Sequence, residues 1–211
     1  MKKYILSLLI ITLTLSINGC TKNESTSKDI NNNFETLVGT ISTDEDNDLD
    51  NNYFYKNQDL ESSFQEITNL DKPSIYDAKD FDSSLRNGSV IMISKDNSKE
   101  QEVYNISMLD KFIDSFNSGK EGYVRVIKGT LKADNTFLVN KLDEYETGGK
   151  IIKSLTYDAY NELTPGNPIY AAKIVKTYSD SGVRYVMFES NDTQDNMGTT
   201  IISFDNCDVK N

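Results

Sequence analysis

From Gly122 to Phe204 the apolar residues of this chain recur at every second position, in runs broken only by short turn-like stretches. That period belongs to β-strands with alternating faces. The runs are GYVRVIKGTL (122–131), TFLVNKLDEYE (136–146), KIIKSLTYDAY (150–160), IYAAKIVKTYS (169–179), VRYVMFES (183–190) and TTIISF (199–204). The breaks between them carry Asp, Asn, Gly and Pro, such as Ala133-Asp134-Asn135 and Thr147-Gly148-Gly149. Most are too short for a helical crossover, so neighbouring strands are expected to be antiparallel.

Upstream the period changes. SVIMIS (89–94) reads as one more strand. Leu109, Phe112, Ile113 and Phe116 then fall at i, i+3, i+4 and i+7, which predicts a helix with one apolar face. Ser107 with Asp110, or else Asn105, is its expected N-cap, and Gly119 its stop. Leu60, Phe64, Ile67 and Leu70 predict a shorter helix over Asp59–Leu70, ended by Pro73. The expected fold class is α+β: an antiparallel meander of about five to seven strands with one helix packed on a face.

The N-terminus reads differently. Met1-Lys2-Lys3 precedes an Ile-, Leu-, Ser- and Thr-rich run from Tyr4 to Ile17, roughly 14 residues against the roughly 20 that span a bilayer. A basic start, a short apolar stretch and a small residue at its end describe a secretory signal. The run ends in LSINGC, with an apolar residue and Gly before Cys20, the pattern of a bacterial lipobox. Residues 1–19 are therefore expected to be a signal peptide and Cys20 the site of lipidation. A diacylglycerol-bearing cysteine carries two acyl chains (palmitate-type), which suffice for stable anchoring. The expected location is the outer face of the bacterial cytoplasmic membrane, with the membrane itself as partner.

TKNESTSKDINNN (21–33) and TDEDNDLDNN (43–52) are polar, FETLVGTIS (34–42) between them reads as a short element or as part of the same leash, and residues 20–52 are expected to form a disordered acidic tether. About 30 flexible residues reach roughly 30 Å. Residues 53–211 are expected to form a single domain. Without Lys2 and Lys3, 20 basic and 33 acidic residues leave the mature chain at −13, of which −10 lies in residues 21–82. This charge opposes nucleic-acid partners and anionic headgroups.

The chemistry-bearing residues are sparse. The chain has no His, which removes His-assisted nucleophilic catalysis. Asp44, Asp46, Asp48 and Asp50 alternate as in a calcium loop, yet Leu49 stands where Gly is needed and Tyr55 where Glu is needed. FNSGKEG lacks both the first Gly and the Ser or Thr of a phosphate loop. No cofactor or metal site is expected. Asp192 and Asp195, in an oxygen-rich turn between strands, are weak ligand candidates. Arg125 is another: it lies on a wet sheet face, or it pairs with a carboxylate on a neighbouring strand. Asp143, Glu144, Glu146 and Asp158 could serve a two-carboxylate hydrolase of envelope polysaccharide, but read better as a solvated sheet face. After Cys20, the remaining cysteine is Cys207, expected to be buried near a C-terminal strand.

Within residues 88–190, the strand SVIMIS leads to Asn105, to the Leu109-x-x-Phe112-Ile113 helix and to its Gly119-Lys120 end. Arg125-Val126 then runs into Thr130. In this order the chain resembles a family of small Gram-positive lipoproteins that carry a domain of unknown function. Leu131-Lys132-Ala133-Asp134 departs from the family's turn, and its late cysteine pair is absent. The resemblance implies an anchored extracytoplasmic protein and brings no activity with it. The function expected is a non-enzymatic binding or accessory module whose partner is an envelope protein or cell-wall ligand.

Overall fold

The computed structural model describes residues 59–95, 100–180, 182–191 and 197–210. Among them are ten strands in two sheets and few helices, an α+β arrangement. A 3-10 helix at Ile75–Lys79 and α1 (Phe81–Arg86) precede β1 (Val90–Lys95) and β2 (Gln101–Tyr104). Helix α2 (Ser107–Asn117) leads to β3 (Gly122–Leu131), β4 (Phe137–Thr147) and β5 (Ile152–Asp158). The short β6 (Thr164–Pro165) and β7 (Ile169–Ala171) follow, then β8 (Lys173–Ser179), β9 (Gly182–Phe188) and β10 (Thr199–Phe204).

The large sheet runs β2-β1-β3-β4-β5, with β6 and β7 both pairing β5. The small sheet runs β10-β9-β8. β3, β4 and β5 form the expected antiparallel meander. One pairing departs from expectation: β1 and β3 are parallel, Val90 opposite Val126. The connection between them contains α2, long enough to return the chain to its starting end. β2, with Val103 its one buried residue, was too short and polar to be expected.

The run 169–179 is not one strand. It breaks at Ala172, whose N–H donates to Phe188 O at 2.9 Å. Ala171 pairs with Ile152 in the large sheet and Lys173 with Phe188 in the small one. The chain changes sheet there, which alternation alone does not reveal.

Both faces of the large sheet are covered, so β3 is buried continuously from Val124 to Ile127. On one face Val90, Val124, Val126 and Tyr145 pack with Leu109 and Phe112 of α2 and with Ile174, Tyr185 and Ile202 of the small sheet. On the other, Ile127 and Leu142 pack with Ala78 of the 3-10 helix and Leu163 of the β5–β6 loop.

The N-cap of α2 is Ile106, with no side-chain cap bond, so neither expected cap acts as one. Asn105 instead sits at φ 55° and donates through Nδ2 to Leu85 O at 2.9 Å and Ser89 O at 3.1 Å. It ties the start of α2 to the turn before β1. Asp110 accepts from Tyr185 at 2.8 Å and Lys176 at 3.0 Å, joining α2 to the small sheet. Gly119 does end the helix, at φ 68°. Gly119 N donates to Phe116 O and Lys120 N to Ser115 O, a Schellman pair.

The expected helix over Asp59–Leu70 is helical only at residues 59–63. From Phe64 the chain finds partners across the sheet instead. Phe64 packs at 5.6 Å against Tyr170 and beneath Lys153 Nζ, and Lys72 Nζ reaches Glu146 at 2.6 Å. Those contacts outweigh a short helix, which tertiary packing must stabilise in any case.

Candidate functional site

Arg125 lies at the centre of the second face, and the wet-face alternative does not hold: the residue is 2 % exposed. It stands opposite Glu144 across β3 and β4. Its Nε and Nη2 donate to Glu144 Oε1 at 3.0 and 2.7 Å. Nη2 also donates to Pro73 O at 2.8 Å, and Nη1 to Ser74 O at 2.9 Å. Tyr123 donates to Glu144 Oε1 at 2.5 Å and Tyr157 to Oε2 at 2.9 Å. Burial, reinforced by the Glu144 charge, pushes both phenols well up, so they stay neutral donors.

A charge buried this deeply is tolerated when paired and hydrogen-bonded, and here the pair is. The guanidinium makes two bonds to the carboxylate and two to the carbonyls of the covering segment. The arrangement clamps residues 73–74 onto the sheet, and it commits Glu144 to four bonds rather than to proton transfer.

The remaining strand carboxylates are also engaged. Asp143 faces the opposite side from Glu144, is 1 % exposed, and accepts from Thr156 at 2.6 Å. Its Oδ2 lies 3.0 Å from Lys141 Nζ, an ion pair without hydrogen-bond alignment. Half-buried Lys128, opposite Lys141, is held below the usual lysine range by burial and then by Lys141. Glu146 is shared by Lys72 at 2.6 Å and Lys153 at 3.4 Å. Asp158 caps a turn through Tyr160 N at 2.9 Å. The expectation of a solvated face thus fails for Asp143 and Glu144, because both faces are covered. No two of these four form an open acid pair.

Beside the Arg125 cluster lies a cavity of about 540 Å³. Its lining includes Arg125, Tyr123, Met108, Asn87, Asp71 and Asp77. The Asn87-Gly88 turn before β1 shapes one wall: Gly88 sits at φ 80°, with Met108 Cε 3.4 Å from where a Cβ would project. Asn87 Oδ1 accepts from Ser89 N at 3.2 Å and Ser89 Oγ at 2.7 Å, while its covered Nδ2 makes no hydrogen bond. Asn87, Asp71 and Asp77 went unnoticed in the sequence. The Asn-Gly pair signals a turn, but nothing local signals what the turn encloses.

Cys20, the aspartates of residues 44–50, Asp192 and Asp195 lie outside the described residues. Cys207 is exposed in the C-terminal 3-10 turn Asn206–Asp208, not buried as expected. That turn breaks away from β10 and leaves the side chain at the surface. Among the described residues, no group of three or more acidic or cysteine side chains comes together to hold a metal, and no helix is long and apolar enough to cross a membrane. No protein-family model, curated protein or solved structure matches the chain.

Proposed function

We propose that this chain is a membrane-anchored, extracytoplasmic bacterial lipoprotein whose domain works as a non-enzymatic binding or accessory module. The observation that carries the reading is LSINGC, a lipobox-like ending to a short apolar run, with polar sequence directly after it. The engagement of Asp143, Glu144 and Glu146 with cations supports a binding role over carboxylate hydrolysis. A hydrolase needs an acid and a base that are both free to exchange protons.

Metabolic labelling tests the anchor. The full chain, expressed in a bacterial host fed an alkyne-palmitate analogue, should be labelled and should fractionate with membranes. Cys20→Ser should lose the label and accumulate as a precursor or leave the membrane. Unchanged labelling and processing of Cys20→Ser would sink the reading.

A further inference from the structure

The geometry points to Lys128 as a covalent capture site, a lysine amine placed to condense with a small aldehyde. The site depends on the large sheet and not on the lipid anchor. Lys128 and Lys141 stand directly opposite each other on β3 and β4. The Cβ atoms of such a pair lie roughly 4.5–5.5 Å apart, and two like charges so placed are destabilising. Asp143, two residues along β4 on the same face, is taken by Lys141 at 3.0 Å. Lys128 itself has no ion pair and no hydrogen bond among the described residues. Its half-buried position adds to the cost of the charge. The pair is relieved when Lys128 gives up its proton, while Lys141, held by Asp143, keeps its own. Burial first, and Lys141 second, hold the Lys128 amine below the usual lysine range, against a smaller opposing effect of Asp143.

Two further observations fit a reacting amine. Among the described residues, the enclosed side-chain atoms without a hydrogen bond are Asn87 Nδ2 and Asp143 Oδ2, so Lys128 Nζ still meets solvent. The ladder also breaks immediately beyond the pair. Gly129 stands opposite Val139, which leaves Asn140 as the extra residue of a β-bulge. Bulges re-aim side chains and are over-represented beside active sites.

The pairing selects the chemistry. An unprotonated amine is a nucleophile, and desolvation beside a second cation is one way to make one. Lys128 Nζ adds to the aldehyde carbon, forming the N–C bond as the carbonyl π electrons move onto oxygen. Lys141 lends a proton to that oxygen, which leaves as water while the C=N bond forms. Both amine hydrogens end in the water, so the proton from Lys141 is returned to it. Acyl transfer would instead need a base, and Asp143 is committed to Lys141 and Thr156.

Reductive trapping tests the site. The full chain, held in detergent in an amine-free neutral buffer, is exposed to limiting glycolaldehyde with sodium cyanoborohydride. Chymotryptic peptides are then ranked by mass spectrometry. Lys120, exposed and without an ion pair among the described residues, is the reference amine. The expected result is several-fold faster labelling of Lys128 than of Lys120, and equal labelling of the two in concentrated urea. Lys141→Gln should bring Lys128 down towards Lys120 with far-UV circular dichroism unchanged. Labelling of Lys128 no faster than that of Lys120 in the folded chain overturns the site. The same preference persisting in urea overturns it as well, because the local sequence would then be its source. Unchanged labelling in folded Lys141→Gln overturns the part given to Lys141; should that variant unfold, the comparison between native chain and urea decides. None of these outcomes alters the labelling of Cys20.

Discussion

Replacing Arg125 with Met removes the clamp while keeping the length of the side chain's apolar stem. Four hydrogen bonds disappear, and Glu144, 8 % exposed, is left as a buried carboxylate facing two phenols with no cation beside it. Breaking a buried pair from one side costs about 3–5 kcal/mol. For a domain of this size that lowers the melting temperature by roughly 10 °C. Thermal melts of the full chain by circular dichroism read this directly. The loss should also have a location. Without bonds to Pro73 O and Ser74 O, the covering segment opens locally more often than the sheet unfolds. Lys79, which follows those carbonyls, should become an early trypsin site in the variant, whereas the Lys72-Pro73 bond resists trypsin in either form. The double variant Arg125→Met, Glu144→Leu should recover part of the loss, because no charge is then stranded, but not all of it. The carbonyls of Pro73 and Ser74 and the hydroxyls of Tyr123 and Tyr157 still lack their partners. A single variant that costs under about 1 kcal/mol, with cleavage at Lys79 unchanged, would refute the clamp.

Two further predictions concern the scaffold. Gly119→Ala should cost about 1–2 kcal/mol, the left-handed penalty alone, since nothing lies within 4 Å of the added methyl. Gly149→Ala, at φ 91° and with Gly119's backbone 2.3 Å from the new Cβ, should cost clearly more. Equal melting temperatures for the two would contradict that close approach. The tyrosines predict alkaline behaviour. Burial, as the largest cause, pushes Tyr104 and Tyr185 up to about 12, and raises Tyr123, Tyr145 and Tyr157 as well. Each folded value exceeds the unfolded one, so the stability they contribute is complete below pH 10 and is lost as pH rises through the folded values. Ultraviolet titration should therefore find these phenols protonated at pH 10.5 while the fold holds, and melting temperatures should fall above pH 10. Full ionisation at pH 10.5 in the folded protein would be inconsistent with this burial.

The strands were legible because their signal is local. β3 coincides with the run 122–131, and β10 with 199–204, since side-chain alternation and turn residues decide where a strand begins and ends. Pairing is not local. Nothing within SVIMIS announces that its partner is parallel β3, and nothing in IYAAKIVKTYS marks Ala172 as the point of transfer between sheets. The apolar spacing of Leu60, Phe64, Ile67 and Leu70 fits a helix in isolation. It equally fits a segment whose Phe64 and Lys72 are spent on Tyr170 and Glu146, residues far away in the chain.

The same distinction governs the site. Arg125 invited notice as a charge inside an apolar run, and the alternative of a cross-strand carboxylate partner was open from the start. Whether that pair was wet or buried depended on Pro73 and Ser74, about fifty residues earlier, lying across it. A covering segment of this kind has no periodicity to betray it, because main-chain carbonyls hold it in place and any residue can supply those. The cavity is hidden for the same reason. Asn87, Met108 and Asp77 sit on three separate elements, and each has an unremarkable reading of its own as a turn residue, a helix side chain and a surface acid. Their common property, bordering one space, exists only after the clamp has brought the covering segment down onto β3.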